Sequence, residues 1–293
     1  MRVFITGGTG LIGSAVVAEL LGNGHTVLAL ARSDASALAA EKAGAETIRG
    51  ALADPNALRA GAARADGVIH LAFSHDFSSA EAVARAVAEE SAALTALGEE
   101  LVGSDRPLVT VSGTPYVPGR RSTEADPVPT DGLVGGRGRT VTAILDLASR
   151  GVRSTAVRLP RTVHNDGDGG FAGMLTGIAR RTGVSGYSGD GAQRWPAVHA
   201  LDAAVLFRLA LELAPAGTSW HAVADEGDAV RDIAAVIGRR LGLPVEAVSP
   251  ETYGPLGPIF AIDQPSSSTH TREALGWEPT HPNLLADLEN IQP

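Results

Sequence analysis

Cysteine is absent from the 293 residues, and lysine occurs once, at Lys42, against 23 arginines. The first absence excludes disulfides, thiolate catalysis and cysteine-ligated zinc. The second excludes any lysine-dependent catalytic motif away from position 42. Aromatic residues are only 4% of the chain. No apolar run reaches the roughly 18 residues of a membrane span, and no leader-like stretch precedes the first apolar strand pattern, so a cytoplasmic protein with no membrane partner is expected. Net charge is −9, which argues against a broad nucleic-acid-binding face. The apolar share of 44% is enough for a substantial core.

Glycine, by contrast, is plentiful, with 35 residues. Its most informative cluster is Thr6-Gly7-Gly8-Thr9-Gly10-Leu11-Ile12-Gly13. This follows the apolar run Val3-Phe4-Ile5 and opens an apolar-periodic segment from Ala15 to Leu21. Strand, glycine turn and helix in that order are the context in which such a pattern carries chemistry. The first glycines permit a sharp turn that brings backbone N–H groups toward a pyrophosphate. Gly13 allows close packing of helix on strand, and the helix N-terminus favours the phosphate charge.

Strand and helix patterns alternate through the first 160 residues. Strands are expected at Arg2–Thr6, Thr26–Ala31, Glu46–Arg49, Gly67–Leu71, Leu108–Ser112 and Ser154–Leu159. Helices are expected at Leu11–Asn23, Ala35–Ala43, Pro55–Ala62, Glu81–Leu101 and Arg137–Arg150. The expected fold class is α/β, a Rossmann-type doubly wound parallel sheet covered on both faces. Beyond Pro160 the pattern changes. Thr162–Gly191 is glycine-rich with few strand signals, helices are expected at Ala200–Leu213 and Val230–Leu241, and a strand at Ser219–Val223. Leu284–Asn290 has helical character in a loop-rich tail.

The spacing of Gly7, Gly10 and Gly13 behind Thr6 resembles the fingerprint of extended short-chain dehydrogenases/reductases, the group of NAD-dependent epimerases and dehydratases. The resemblance implies a Rossmann domain over 1–160, rejoined by 196–224, with a small substrate-capping region from 161–195 and 225–293. It implies cofactor contacts at Thr6, Gly7, Gly10, Leu11, Ile12 and Gly13. The residue closing the second strand reads the adenosine ribose, an acid suiting a hydroxyl and a cation suiting a phosphate. Here Ala31 stands where NAD-preferring relatives carry an acid, and Arg32-Ser33 follows, so NADP(H) is the expected cofactor. In Gly50-Ala51-Leu52, alanine replaces the family's adenine-contacting aspartate, leaving Leu52 as the contact. His70-Leu71-Ala72-Phe73 resembles the strand end lining the central part of the cofactor, with Leu71 and Ala72 as contacts and His70 as a packed histidine. Leu159, in the Arg158-Leu159-Pro160-Arg161 element, is expected beside the nicotinamide.

The catalytic pattern departs from the family. Its members use a tyrosine acid/base, a lysine four residues later that lowers the phenol pKa from about 10, and an upstream hydroxyl. The hydroxyl is present as Ser112 in Ser112-Gly113-Thr114-Pro115-Tyr116. The Tyr-x-x-x-Lys pair is missing: family spacing puts Leu133 at the tyrosine position and Arg137 at the lysine position, with the usual asparagine falling near Glu89. Arg137 remains a cation able to contact the nicotinamide ribose. Candidate substitute acids are Tyr116, His75, Asp76, His164 and Tyr187, with His164 preferred because it follows the sixth strand and titrates near neutrality. Asp166 and Asp168 read as turn residues of a loop over the substrate. Arg180, Arg181, Arg194 and Trp195 are unspecific candidates for substrate contact. His199 and Asp202 resemble the family's loop-fixing pair, with Asp202 capping the next helix. Val83, Val87, Leu94 and Leu97, with Val141, Ile144 and Leu145, permit a homodimer bundle and equally suit packing on the sheet. Three functions stay open: an atypical NADPH-dependent oxidoreductase reducing a carbonyl of a small-molecule substrate, a non-redox isomerase, cyclase or lyase, and a non-catalytic NADP(H)-binding sensor.

Overall fold

The structure is a computed structural model that describes residues 1–74, 76, 79–131 and 135–292, with Pro255 through its backbone alone. His75 and Leu133, and the expectations placed on them, lie outside the described residues. The first half alternates strictly: β1 (Arg2–Thr6), α1 (Leu11–Gly22), β2 (Thr26–Ala31), α2 (Asp34–Lys42), β3 (Glu46–Arg49), α3 (Pro55–Ala63), β4 (Gly67–His70), α4 (Ala80–Leu101), β5 (Pro107–Gly113), α5 (Gly135–Leu145) and β6 (Arg153–Leu159). The second half carries β7 (Thr162–His164), α6 (Gly170–Thr182), β8 (Ser185–Ser188), β9 (Arg194–His199), α7 (Ala200–Leu213), β10 (Thr218–His221), β11 (Asp225–Ala229), α8 (Val230–Leu241), β12 (Val245–Val248), α9 (Gly257–Phe260), α10 (Thr269–Leu275) and α11 (Leu284–Asp287).

Seven strands form the main sheet in the order β10-β6-β5-β4-β1-β2-β3, and every pairing in it is parallel. Chain order reverses between β1 and β4, the place where a doubly wound sheet opens a ligand crevice at its carboxyl edge. The period-two geometry of β1 sorts its side chains to opposite faces. Val3 and Ile5 join one buried core with Val16 and Leu20 of α1 and Leu206 and Phe207 of α7. Phe4 joins the other with Leu58 of α3, Leu94 and Leu97 of α4 and Ile144 of α5. Full burial of such a side chain contributes about 1.5–3 kcal/mol. Helix starts are set locally: Asp54 accepts from the N–H groups of Asn56 and Ala57 with Pro55 following, and Ser79 accepts from Ala82 N–H.

The cap has its own core, built from Leu175, Trp195, Ile233, Ile237, Phe260 and Leu284. Its sheets are β11-β9-β7 and β12-β8. Segment 196–224 is divided: β9 lies in the cap sheet, α7 covers the main sheet, and β10 pairs with β6 at the main sheet's edge. The glycine-rich stretch after Pro160 contains α6, which the sequence reading did not anticipate. Glycines at 170, 173 and 177 weaken helix propensity. Burial of Ala172, Leu175, Thr176 and Ala179 on one face at three- and four-residue spacing overrides it.

Candidate functional site

The cofactor half is built from backbone closeness. Gly7 has φ +74°, and a Cβ there would stand 2.8 Å from Ala72 N; a Cβ on Gly13 would stand 2.0 Å from the Gly7 carbonyl oxygen. Only glycine fits either place, so the turn is held tight against β4 and α1. The buried Thr6 ties the two strands together. Its carbonyl accepts from Leu71 N–H at 3.1 Å, and its Oγ1 accepts from Ala72 N–H at 3.3 Å and is hydrogen-bonded to His70 Nδ1 at 2.9 Å. The His70 Nε2 is buried and has no hydrogen-bond partner among the described residues. Burial, with the Arg137 charge nearby, pushes His70 down to about 3, so it is a neutral structural imidazole. Leu11 is exposed and Gly10 is open at the cleft side of the turn. These glycines form a cradle that fits a pyrophosphate.

Arg32 and Ser33 are exposed at the end of β2. Ser33 Oγ accepts from Ser36 N–H at 3.2 Å as the cap of α2, which accounts for the hydroxyl without a ligand. Arg49, paired with Ala31 in the sheet register, takes Asp34 at 2.8 Å. The acid beside Arg32 is therefore engaged elsewhere, and Arg32 has no carboxylate partner among the described residues. Leu52 lines a cavity of about 550 Å3 with Leu58, Ser74, Asp76, Ala86 and Glu89.

Arg137 donates through Nε and Nη2 to the two carboxylate oxygens of Glu90, both at 2.7 Å, and its guanidinium lies 4.1 Å from the centre of the Phe73 ring. Glu90 is buried. Glu90 is the neighbour in α4 of Glu89, the approximate place of the family's asparagine. A bidentate pair of this kind fixes the arginine and neutralises it. It does not serve as the free cation that lowers a phenol pKa.

Ser112 sits in β5 opposite Arg158 of β6, is 6% exposed, and its Oγ has no partner among the described residues. Thr114 N–H donates to the Leu159 carbonyl at 2.9 Å, carrying the pairing past both strand ends and leaving Leu159 half-buried there. Tyr116 follows in the same loop and is 46% exposed.

His164 requires a correction. It is fully buried, with Nδ1 2.8 Å from Asp287 Oδ2 and its ring edge-on to His199 at 5.4 Å. Asp287 also accepts from the N–H groups of Asp166 and Gly167, so the pair pins the turn after β7 to α11. Nδ1 is committed to Asp287 and the ring has no exposed surface, so the imidazole is not presented to the cleft in this structure, although its Nε2 is buried without a partner among the described residues. Three other cap candidates have partners within the chain. Arg194 is clamped by Asp263 at 2.8 Å, Trp195 is fully buried against Phe171 and Phe260, and Tyr187 packs in the cap core. Asp202 accepts from Thr280 and His281 N–H and from the His281 ring, while His199 Nδ1 caps α7 by accepting from Leu201 N–H. His199 therefore supplies the N-cap, and Asp202 is the first-turn acid of α7. Val83, Leu94, Leu97, Val141 and Ile144 are buried within the chain, which accounts for their apolar pattern without a second copy.

The sequence did not announce the Arg137–Glu90 pair, nor that Tyr253 and Phe260 would join Phe171 and Trp195 in one aromatic group. No local signal links positions so far apart in the chain. Among the described residues no helix is long and apolar enough to cross a membrane.

Comparison with known proteins agrees with this geometry. The model of the NAD dependent epimerase/dehydratase family matches residues 3–223. An uncharacterised protein of Schizosaccharomyces pombe is 44% identical, and one of Saccharomyces cerevisiae 40%, each alignment covering 98% of both chains. The fold is shared with a dTDP-glucose 4,6-dehydratase from Streptomyces venezuelae solved with NAD (TM-score 0.80, 19% identity, 99% of this chain and 95% of that one). It is also shared with a UDP-glucose 4-epimerase from Thermotoga maritima (TM-score 0.76, 21% identity, 99% and 97%). The family and these neighbours are enzymes. The chain belongs to the NAD-dependent epimerase/dehydratase family.

Proposed function

We propose that the chain is an NADPH-dependent oxidoreductase that reduces a carbonyl or related group of a small organic substrate. The observation that carries this reading is the Ser112 hydroxyl, buried and unpartnered at the carboxyl edge of β5. A buried hydroxyl with no partner costs free energy unless a ligand satisfies it. A carbonyl oxygen would do so, and the donated hydrogen bond would stabilise negative charge as it develops there. The glycine cradle would hold the pyrophosphate, and Arg32, free of Asp34, would meet a 2′-phosphate. Leu71, Ala72 and Leu159 would line the nicotinamide half and exclude water. Bound NADPH supplies the hydride. The substrate oxygen then takes one proton, for which the exposed Tyr116 or a water replaces the family tyrosine.

One observation favours a second reading. With Arg137 fixed on Glu90, the usual device for activating a phenol is missing. This is compatible with a non-redox isomerase, cyclase or lyase, or a silent NADP(H)-binding protein. Purified protein assayed with NADPH against a panel of aldehydes and ketones separates the three. Substrate-dependent loss of NADPH absorbance, reduced in Ser112→Ala, supports the reductase. Turnover without cofactor oxidation supports the second, and tight NADPH binding without turnover supports the third.

A further inference from the structure

We propose that Arg161 is the anchor for a substrate carboxylate, so that the substrate is an organic monocarboxylate with an apolar or aromatic body. The inference deepens the reductase reading and rests on it for the location of the substrate.

Each of the other enclosed arginines has at least one side-chain hydrogen-bond or ion-pair partner, although the Nε atoms of Arg2 and Arg158 are also buried without one among the described residues. Arg106 donates to the carbonyls of Ala62, Ala65 and Glu100, and Arg153 to those of Leu211 and Ala214. Arg158 donates to the carbonyls of Glu124 and Asp126. Arg137, Arg194 and Arg208 hold Glu90, Asp263 and Glu19. Arg161 is largely enclosed, yet its Nε is buried without a partner. No carboxylate among the described residues lies within ion-pair distance of it. Its guanidinium rests 5.0 Å from the centre of the Phe171 ring. Burial without a compensating acid pushes it down to about 10. A charge removed from water and left unpaired is costly, and such groups are kept where a ligand completes them.

Its location fits that role. Arg161 stands two residues beyond Leu159, whose carbonyl accepts from Thr114 N–H, and thus at the same sheet edge as Ser112. Its backbone is fixed: the Arg161 carbonyl accepts from Phe171 N–H at 3.3 Å, and Thr162 Oγ1 accepts from Ala172 N–H at 3.4 Å, which straps the start of α6 onto this segment. The same segment reaches the cofactor cradle, since a Cβ on Gly169 would lie 2.8 Å from Leu11 Cδ2. Chain 161–171 therefore runs from the glycine turn to the cap.

The chemistry selects a monocarboxylate. A guanidinium fork matches one carboxylate in plane. A nucleoside diphosphate would need further free cations. The candidates are spent or distant: Arg121 is held by Glu226, Arg194 by Asp263, and Arg180 and Arg181 lie at the far end of the 13-residue α6, roughly 1.5 Å per residue away. Phe171, which packs on Trp195 and Phe260, offers an apolar surface beside the anion position.

The test is calorimetric titration of phenylacetate, phenylacetamide and UDP into the protein, with and without NADP⁺, repeated in Arg161→Met and Arg161→Lys. The expected result is at least tenfold tighter binding of phenylacetate than of its neutral isostere. The preference should vanish in Arg161→Met and partly return in Arg161→Lys, with NADP⁺ affinity unchanged and the thermal midpoint of Arg161→Met not lowered. Equal affinity for acid and amide, no binding of either, a preference surviving Arg161→Met, or tighter Arg161-dependent binding of UDP would each overturn the proposal. A failure of NADP⁺ to bind would sink the reductase reading alone, because the acid–amide comparison is read without it as well.

Discussion

The two halves of the cleft are built by different means. The cofactor side is made of backbone: Gly7 against Ala72, Gly13 against Gly7, Thr6 tied to Leu71 and Ala72. The other side, proposed above to meet the substrate, is made of side chains: Arg137 on Glu90, His164 on Asp287, Arg194 on Asp263, with the Ser112 hydroxyl and the Arg161 Nε among the buried atoms that have no partner among the described residues. Backbone closeness of this kind leaves little room for substitution. Paired side chains can be exchanged together. The lesson is that the cofactor side constrains what the protein binds, while the few unpaired groups on the other side constrain what it does.

The sharpest way to break the comparison is on the backbone side. Gly13→Val would place its Cβ 2.0 Å from the Gly7 carbonyl, a contact neither backbone can relieve. Loss of about 3 kcal/mol of stability, an overpacking cost, and loss of measurable nucleotide binding are expected from urea unfolding and calorimetry. On the paired side, Glu90→Ala leaves the Arg137 charge uncompensated and should cost about 3 kcal/mol. Replacing both residues by methionine should restore most of that, as a double-mutant cycle would show. Ser112→Ala removes an unpartnered hydroxyl, so its unfolding midpoint should hold or rise while turnover falls roughly 100-fold, in the range of one lost oxyanion donor.

The smallest effect is in pH. His70 and His221 titrate in the folded protein at about 3 and about 4, below their usual 6.5. The unfolded chain therefore binds more protons below 6.5, and stability falls as the pH drops through that range. Asp228, raised by burial and by Asp225 to about 6, opposes this, because its stabilising proton is lost as pH rises from its usual 3.8 through 6. Unfolding midpoints measured across this window in His70→Gln should show a shallower acid loss than in the parent chain.

Much of this was legible in the sequence, for physical reasons. Arg2–Thr6 and Thr26–Ala31 are short apolar runs bounded by turn residues, Glu46–Arg49 is a shorter stretch centred on β-branched Thr47 and Ile48, and the structure has β1, β2 and β3 at those bounds. The α7 and α8 bounds at Ala200–Leu213 and Val230–Leu241 agree equally well, because their apolar positions recur at helical spacing. What could not be read was long-range pairing. Nothing local announces that Asp287 would claim His164 across 123 positions, or that Asp263 would claim Arg194. Nor does glycine-rich 170–182 announce a helix, since its stability comes from the cap core and not from its own propensity. Ser112 was named from its place at a strand end, but that its hydroxyl is left unpartnered required the fold.

The most direct test of the account is a calorimetric titration of the protein with NADPH and NADH, repeated in Arg32→Ala. NADPH binding at least about tenfold tighter than NADH, with the difference lost in the variant, is the predicted result, tenfold being worth about 1.4 kcal/mol. Failure of either nucleotide to bind would contradict the account, since the glycine cradle would then serve a chemistry that needs no nicotinamide.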